Sequence, residues 1–346
     1  LALQSQDFTT TWAATNIAVS GNTTGTTDPF GTNLADLLTA TASGSARVVQ
    51  TFGFVSGTTY TYSCFAKAGN GFFGMTMENG GIASGVAVIW NVSTGAFSVS
   101  GSVGSGYTLQ AHNIENYGNG WYRCSMRVLL GSTVTGNIRV NTSNGTMSSV
   151  VVQSDNGNSV NVFGAQVETG SVATSYIPTT AAPVTRNADV VTLSGAVSGC
   201  IGQTEGTIYA EVDLRASASS SARRIVNMRV DGSNLLSLEI PTAGTSVDFS
   251  AVSGGSSVTA TASGITTGIY KIAVGYNSAA SGTVLYVNGT LRDTKTIAIP
   301  NLSAAVFGLG VRGDGAAGTQ FNDRIRAAAL YTTRLTNAEL AALTTL

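Results

Sequence analysis

Short runs in which apolar and polar residues alternate recur along the chain, separated by Gly, Asn and Ser. A period of two sends successive side chains to opposite faces of a strand, so the pattern predicts β structure. Residues 59–68 (TYTYSCFAKA) place Tyr60, Tyr62, Cys64 and Ala66 on one face and Thr61, Ser63, Phe65 and Lys67 on the other. Residues 121–130 (WYRCSMRVLL) turn Tyr122, Cys124, Met126 and Val128 inward and Arg123, Ser125 and Arg127 outward, which also turns Trp121 outward. Residues 86–91 (VAVIWN) and 96–100 flank a Ser-Thr-Gly turn and read as a hairpin. Residues 160–167 (VNVFGAQV) supply a further strand.

A second series begins with residues 206–215 (GTIYAEVDLR), where Ile208, Ala210, Val212 and Leu214 point inward. Strands are expected at 225–230, 234–240, 246–252, 268–276 and 282–287, then a turn at Asn288-Gly289, then strands at 304–311 and 324–331. Between the two series lies SYIPTTAAPVTRNAD, with two of the five prolines and no clear period, so a boundary is expected between Tyr176 and Asp189. One helix is predicted near the end of the chain. Thr336 and Glu339 form a T-x-x-E capping box, with Leu335, Leu340 and Leu343 as its apolar contacts. The expected fold is all-β: two tandem antiparallel β-sandwich (jelly-roll) domains, residues 1–185 and 186–346, and one short C-terminal helix.

Composition narrows the functions. Only 10% of residues are charged, against about 25% in ordinary globular proteins. The net charge is −1 and no basic stripe is visible, which excludes the electrostatic footprint of a nucleic-acid-binding protein. Weak charge also gives weak colloidal repulsion, as suits a protein held in an assembly. The three cysteines and the lone His112 include no CxxC pair, which argues against zinc. Cys64 and Cys124 both read as inward-facing, either as buried thiols or, given suitable strand geometry, as a bridge. No 18-residue apolar run occurs, so no membrane-inserting helix is expected. No signal peptide is visible, and the first residue is Leu1 rather than Met, so the sequence is expected to begin inside a longer or processed chain.

Two resemblances follow from longer strings. YTYSCFAKAG, NGWYRCSM, GAQVETGSVATSYIPTTAAPVTRNAD and the opening LALQSQDFTTTW with Phe8 and Trp12 resemble a carbohydrate-binding-module-like jelly roll of tailed-phage and prophage structural proteins, over roughly residues 1–190. GTIYAEVDLR, YKIAVGYNSAASGTVLYVNGTLRDT and RIRAAALYTTRLTNAELAAL resemble the concanavalin-like, laminin-G-like sandwich, over roughly residues 195–346. Together they imply a virion surface protein (a tail fibre, tail tip, head fibre or capsid decoration) that contacts other virion proteins, with a homotrimer expected by analogy.

Three functions stay open at this stage: a virion protein that binds host-surface glycans, a decoration protein without a glycan ligand, and a glycan hydrolase. For glycan binding the candidates are Trp121, Trp90, Tyr107 and Tyr117, with Trp12, because aromatic faces suit the apolar face of a pyranose. The alternative for Trp121 is that it covers a sandwich edge or packs on a neighbouring subunit. For hydrolysis, Glu211, Asp213 and Arg215 share one strand face, but laminarinase-like enzymes place three acids there, and the third position is Arg215. An exposed internal ion pair explains the same pattern, and no catalytic residues are assigned. No cofactor is required. Calcium stays open as a metal for Asp231, Asp293, Asp314 and Asp323 near glycines or turns, although none lies in a D-x-D-x-D-G loop. His112 is read in a loop, QAHNIENYGNG, without partners for a catalytic triad.

Overall fold

Both series of alternating runs become antiparallel strands in the computed structural model, which describes residues 2–185, 191–193, 199–215, 221–316, 320–321 and 323–346. The chain falls into two compact units, Leu1–Arg186 and Asn187–Leu346. Residues 186–189 of the expected boundary lie outside the described residues.

In chain order the first unit holds β1 (Ala13–Thr15), β2 (Ile17–Ser20), β3 (Asp36–Ala40), β4 (Arg47–Phe54), β5 (Thr59–Ala68), β6 (Phe72–Glu78) and β7 (Gly85–Asn91). It continues with β8 (Ala96–Val103), β9 (Tyr107–Gly118), β10 (Trp121–Leu130), β11 (Val134–Ser143), β12 (Met147–Ser148), β13 (Val151–Val152) and β14 (Ser159–Thr169). Two six-stranded sheets result, ordered β1-β4-β11-β6-β7-β8 and β2-β3-β14-β5-β10-β9, with β12-β13 as a separate hairpin. The chain passes from one sheet to the other at Asn16, whose φ of +51° is a left-handed conformation that Asn tolerates. The core between the sheets contains Tyr62, Met75, Val128 and Val140, and the ring of Trp90 stacks on Phe73 at 6.1 Å. Cys64 and Cys124 face each other across β5 and β10. Both are buried free thiols, and burial pushes both pKa values up.

The sequence pattern implies a polar, wet outer face on β5, but residues 60–66 are all buried. Phe65, Trp121, Phe163 and Ala35 form a second apolar cluster on that outer face. The chain itself covers it. Trp121 Nε1 donates to the Thr27 carbonyl at 2.8 Å, and the half-buried Tyr176 ring lies 5.4 Å from Phe163. Gln166 Oε1 accepts from the Ile177 amide at 2.9 Å, and Glu168 accepts from the Thr174 amide at 3.0 Å. Gly164 sits at φ +65°, and a Cβ there would lie 3.0 Å from both the Phe65 and Tyr176 rings. The string GAQVETGSVATSYIPTT is therefore a strand followed by a segment folded back over its own sheet, and its Gly, Gln and Glu are the residues that hold the fold-back. The β12-β13 hairpin covers part of the opposite sheet in the same way, with Val150 and Val152 against Ala87 and Ile89.

The second unit holds β15 (Val191–Leu193), β16 (Glu205–Leu214), β17 (Arg223–Arg229), β18 (Leu235–Ile240), β19 (Ser246–Ser253) and β20 (Ser256–Ser263). After these come β21 (Gly268–Asn277), β22 (Thr283–Val287), β23 (Thr290–Lys295), β24 (Val306–Leu309), β25 (Arg324–Tyr331) and α1 (Asn337–Thr344). A six-stranded sheet, β15-β24-β17-β18-β19-β20, packs on a five-stranded one, β23-β22-β21-β16-β25, around Ile208, Val212, Leu236, Leu238, Phe249 and Ile272. Asn288 and Gly289 adopt φ of +48° and +77°, the left-handed pair that a tight hairpin between β22 and β23 requires. The capping box of Thr336 and Glu339 is present. Helix α1 places Leu340 against Ala273, Val284 and Tyr286 on the outer face of the five-stranded sheet, beside the half-buried Leu335 and Leu343.

Candidate functional site

The expected aromatic platform is not where glycans could reach it. Trp90 and Tyr107 are core residues, 0% and 3% exposed, and Trp121 is 1% exposed beneath the covering segment. Each is large and apolar enough to be worth more inside than on a wet face. The side-chain polar atoms of Trp90 and Tyr107 are buried without a hydrogen-bond partner. Burial, then the charge of Glu78, pushes the Tyr107 pKa up to about 12. Tyr117 is half-buried and meets Phe65 edge-on at 4.9 Å. Trp12, 4% exposed, packs on Phe8 at 4.9 Å. Trp121 does point away from the sandwich core, as its alternation with Tyr122 implies; the pattern could not show that a loop closes over it.

His112 is a correction of another kind. It lies in strand β9, not in a loop, and stacks on the exposed Phe97 ring at 4.2 Å. Partial desolvation holds its pKa below the ordinary imidazole value.

The acids are engaged by donors. Asp213 pairs with Arg215 at 3.1 Å, the internal ion pair anticipated for that strand, while Glu211 pairs across to Arg326 of β25 at 2.9 Å. Asp231 accepts from the Ser233 amide and Asn234, and Asp293 accepts from the Thr261 amide. Asp314 takes the fork of Arg312, and Asp323 is buried against Arg223. Among the described residues, no three His, Cys, Asp or Glu side chains converge as a metal site.

An open polar surface lies elsewhere, on the outer face of the six-stranded sheet of the second unit. Leu236, Leu238, Phe249 and Ala260 point into the core, so the intervening residues of β17 to β20 point out. Strand register aligns them in rows. Arg229 pairs with Leu235, Leu235 with Val252, and Val252 with Ser257. The next row runs Asn227, Ser237, Ser250 and Thr259, and the one beyond it Arg224, Glu239, Asp248 and Thr261. A register shift between Arg224 and Val226 lets Arg224 join this face despite its odd spacing from Asn227.

These rows, apart from Thr259, Asp248 and Thr261, line a depression of about 240 Å³ together with Arg312 from the loop after β24. One row offers the branched apolar groups of Leu235 and Val252; in the middle row Asn227 and Ser237 are buried and the half-buried hydroxyls of Ser250 and Thr259 face outward. Ser250 and Thr259 hydroxyls lie 3.0 Å apart, Ser237 donates to Glu239 at 2.8 Å, and Asn227 accepts from the Gly313 amide at 2.9 Å. Arg224 pairs with Glu239. Burial lowers its pKa, and the like charges of Arg312 and Arg229 lower it further. Sequence reading found β17, β18 and β19 but not β20, and singled out none of these residues. The available signal was the outward Arg224, Asn227 and Arg229 of RRIVNMR, which becomes a site only through cross-strand register.

Among solved structures, the chain is similar to the carbohydrate-binding module CBM40 of the Ruminococcus gnavus IT-sialidase, at 19% identity over 44% of this chain and 86% of that one, with a TM-score of 0.37. The same module bound to alpha2,3 sialyllactose matches at 18% identity over 46% and 97%, with a TM-score of 0.38. The binding domain of botulinum neurotoxin DC in complex with SialylT matches at 15% identity over 44% and 38%, with a TM-score of 0.34. No curated protein matches the chain. Residues 185–341, nearly the whole of the second unit, match the concanavalin A-like lectin/glucanases superfamily.

Proposed function

We propose that the chain is a glycan-binding structural protein displayed on a virus particle, and that it binds saccharide through the outer face of the six-stranded sheet in its second unit. The observation that carries this reading is the row structure of the depression. The half-buried Ser250 and the exposed Ser257 give hydroxyls that can donate to and accept from ring hydroxyls, and Leu235 with Val252 gives an apolar strip beside them. Sites of this kind combine apolar contact with a few placed polar groups. The superfamily match of the same unit supports the reading. The strand acids do not support hydrolysis, because Glu211 and Asp213 are each engaged by a guanidinium.

The test is a glycan array probed with the full chain. We expect saturable binding that Ser250→Leu weakens by about tenfold or more, since the added bulk fills the middle of the depression and removes a hydroxyl. Undiminished binding by that variant would remove this face from consideration. Placement on a particle, contacts with other virion proteins and a homotrimer rest on the resemblance of residues 1–190 to tailed-phage modules. Immunogold labelling of intact particles and sedimentation of the purified protein test them.

A further inference from the structure

Three guanidinium groups, from Arg224, Arg229 and Arg312, line one small depression whose only lining carboxylate is Glu239. Each guanidinium presents five donors in a fixed fork. Asp314, just outside the lining, occupies part of two of them. It accepts from Arg312 Nε at 2.6 Å and Nη2 at 2.8 Å, and lies 3.3 Å from Arg229 Nε. Asp248 extends the Glu239 row on the side away from Arg229. Among the described residues, Asp314 is the carboxylate that meets Arg312 and Arg229, and it takes neither Nη1 of Arg312 nor the Nη groups of Arg229. Arg224 Nε is buried without an acceptor. Donors in this number, beside a row of hydroxyls, are not what a neutral sugar needs. The Asp314–Arg312 fork also shows that the local geometry accepts a planar two-oxygen anion.

We infer that the depression takes an acidic saccharide, with its carboxylate or sulfate group held at the Arg229–Arg312 end and its ring hydroxyls on the hydroxyls of Ser250 and Ser257. This rests on the glycan-binding reading and specifies the ligand class. The row order sets the pose. Arg229 begins the row that continues through Leu235 and Val252, so an anion at Arg229 lays an apolar sugar face along those two side chains. Because both carboxylate and sulfate accept from a guanidinium fork, the experiment separates them.

Calorimetry would compare the full chain with four probes: a hexuronate oligosaccharide, the same oligosaccharide after carboxyl reduction, a sulfated derivative of the reduced form, and inorganic sulfate. The expected result is binding of the hexuronate or the sulfated derivative about tenfold or more tighter than the reduced form, with inorganic sulfate weaker than either. Whichever saccharide anion binds tighter identifies the group. Arg229→Gln and Arg312→Gln should each shrink that advantage, read as the ratio of acidic-form to reduced-form affinity of the same variant. Equal affinity for acidic and reduced forms would overturn the inference and leave glycan binding standing. Inorganic sulfate binding as tightly as the acidic saccharides would also overturn it, by showing an anion site without sugar recognition. Binding of none of the saccharides would overturn the glycan reading itself. Chemical reduction changes the ligand alone, so this comparison holds even where a variant folds poorly.

Discussion

The two units treat the outer faces of their sheets in opposite ways. In the first, aromatic residues on the outer face of β5, β10 and β14 lie under the chain's own segments, and the hairpin β12-β13 lies on the other sheet. In the second, α1 lies on the five-stranded sheet, while β17 to β20 present arginines and hydroxyls around an open depression. A large ring on an outer face invites a cover, because burying it stabilises the fold. A face of guanidinium and hydroxyl groups gains little from burial and stays available to a polar ligand. Aromatic residues are therefore the weaker guide to the site in this chain.

The comparison can be broken most forcefully on the covered outer face of β6 and β11 in the first unit. Glu78 and Arg139 form an ion pair at 2.6 Å, with side chains only 0% and 5% exposed. Glu78 also accepts from Asn137 at 2.8 Å and from the Ile82 amide at 3.1 Å. Glu78→Gln keeps the shape but strands the Arg139 charge, and removing one partner of a buried pair costs about 3–5 kcal/mol. All three tryptophans, Trp12, Trp90 and Trp121, lie in the first unit, so denaturant unfolding followed by tryptophan fluorescence reads this loss directly. Glycan binding by the second unit should be unchanged in buffer. A variant as stable as the parent would mean that the pair is not the anchor its burial implies.

A smaller effect sharpens the account of the cover. Phe30 is 57% exposed, yet its ring lies 5.7 Å from Phe65, 5.9 Å from Phe163 and 6.0 Å from Tyr176. It acts as the outermost tile over the buried aromatic cluster. Phe30→Ala should cost about 1 kcal/mol, the scale of aromatic contacts at a partly wet site, and should bring quenchers to Trp121 before global unfolding. Unchanged quenching would show that the loop carrying Thr27 seals the cluster without it.

Alternation made strands legible, including β5, which is buried on both faces. Residues 59–68, 121–130 and 324–331 end where the pattern places them, and the capping box marks α1. Strands whose residues break the pattern were not singled out. β11 buries Asn141, Thr142 and Ser143, whose side chains find partners such as Gly74, Ser154 and Gln153. The long, largely exposed β9 reads as loop because it lacks an apolar stripe. The site was illegible for a further reason: Arg224, Asn227, Ser237 and Ser250 are adjacent only through strand register, which the hydrophobic pattern of one strand does not specify for the next.

The smallest expected effect concerns the rim of the depression in acid. Hydrogen bonding from Arg312 holds the Asp314 carboxyl down to about 2, with the Arg312 and Arg229 charges adding to the shift. A carboxylate with a folded pKa below its unfolded value, here 3.8, adds stability that is fully present above the unfolded value. That stability is lost as pH falls through the folded one. The window is thus roughly pH 4 down to pH 2. The side chain is 42% exposed, so solvent screens the pair and its share of stability is small. The site-level signature is sharper than the energetic one. Carboxyl chemical shifts should show Asp314 ionised throughout the range in which an ordinary aspartate titrates, and Arg312→Gln should move its midpoint upward toward the ordinary value. A midpoint unmoved by that change would assign the shift to the Ala316 amide instead, and would free the Arg312 fork entirely for an anionic ligand.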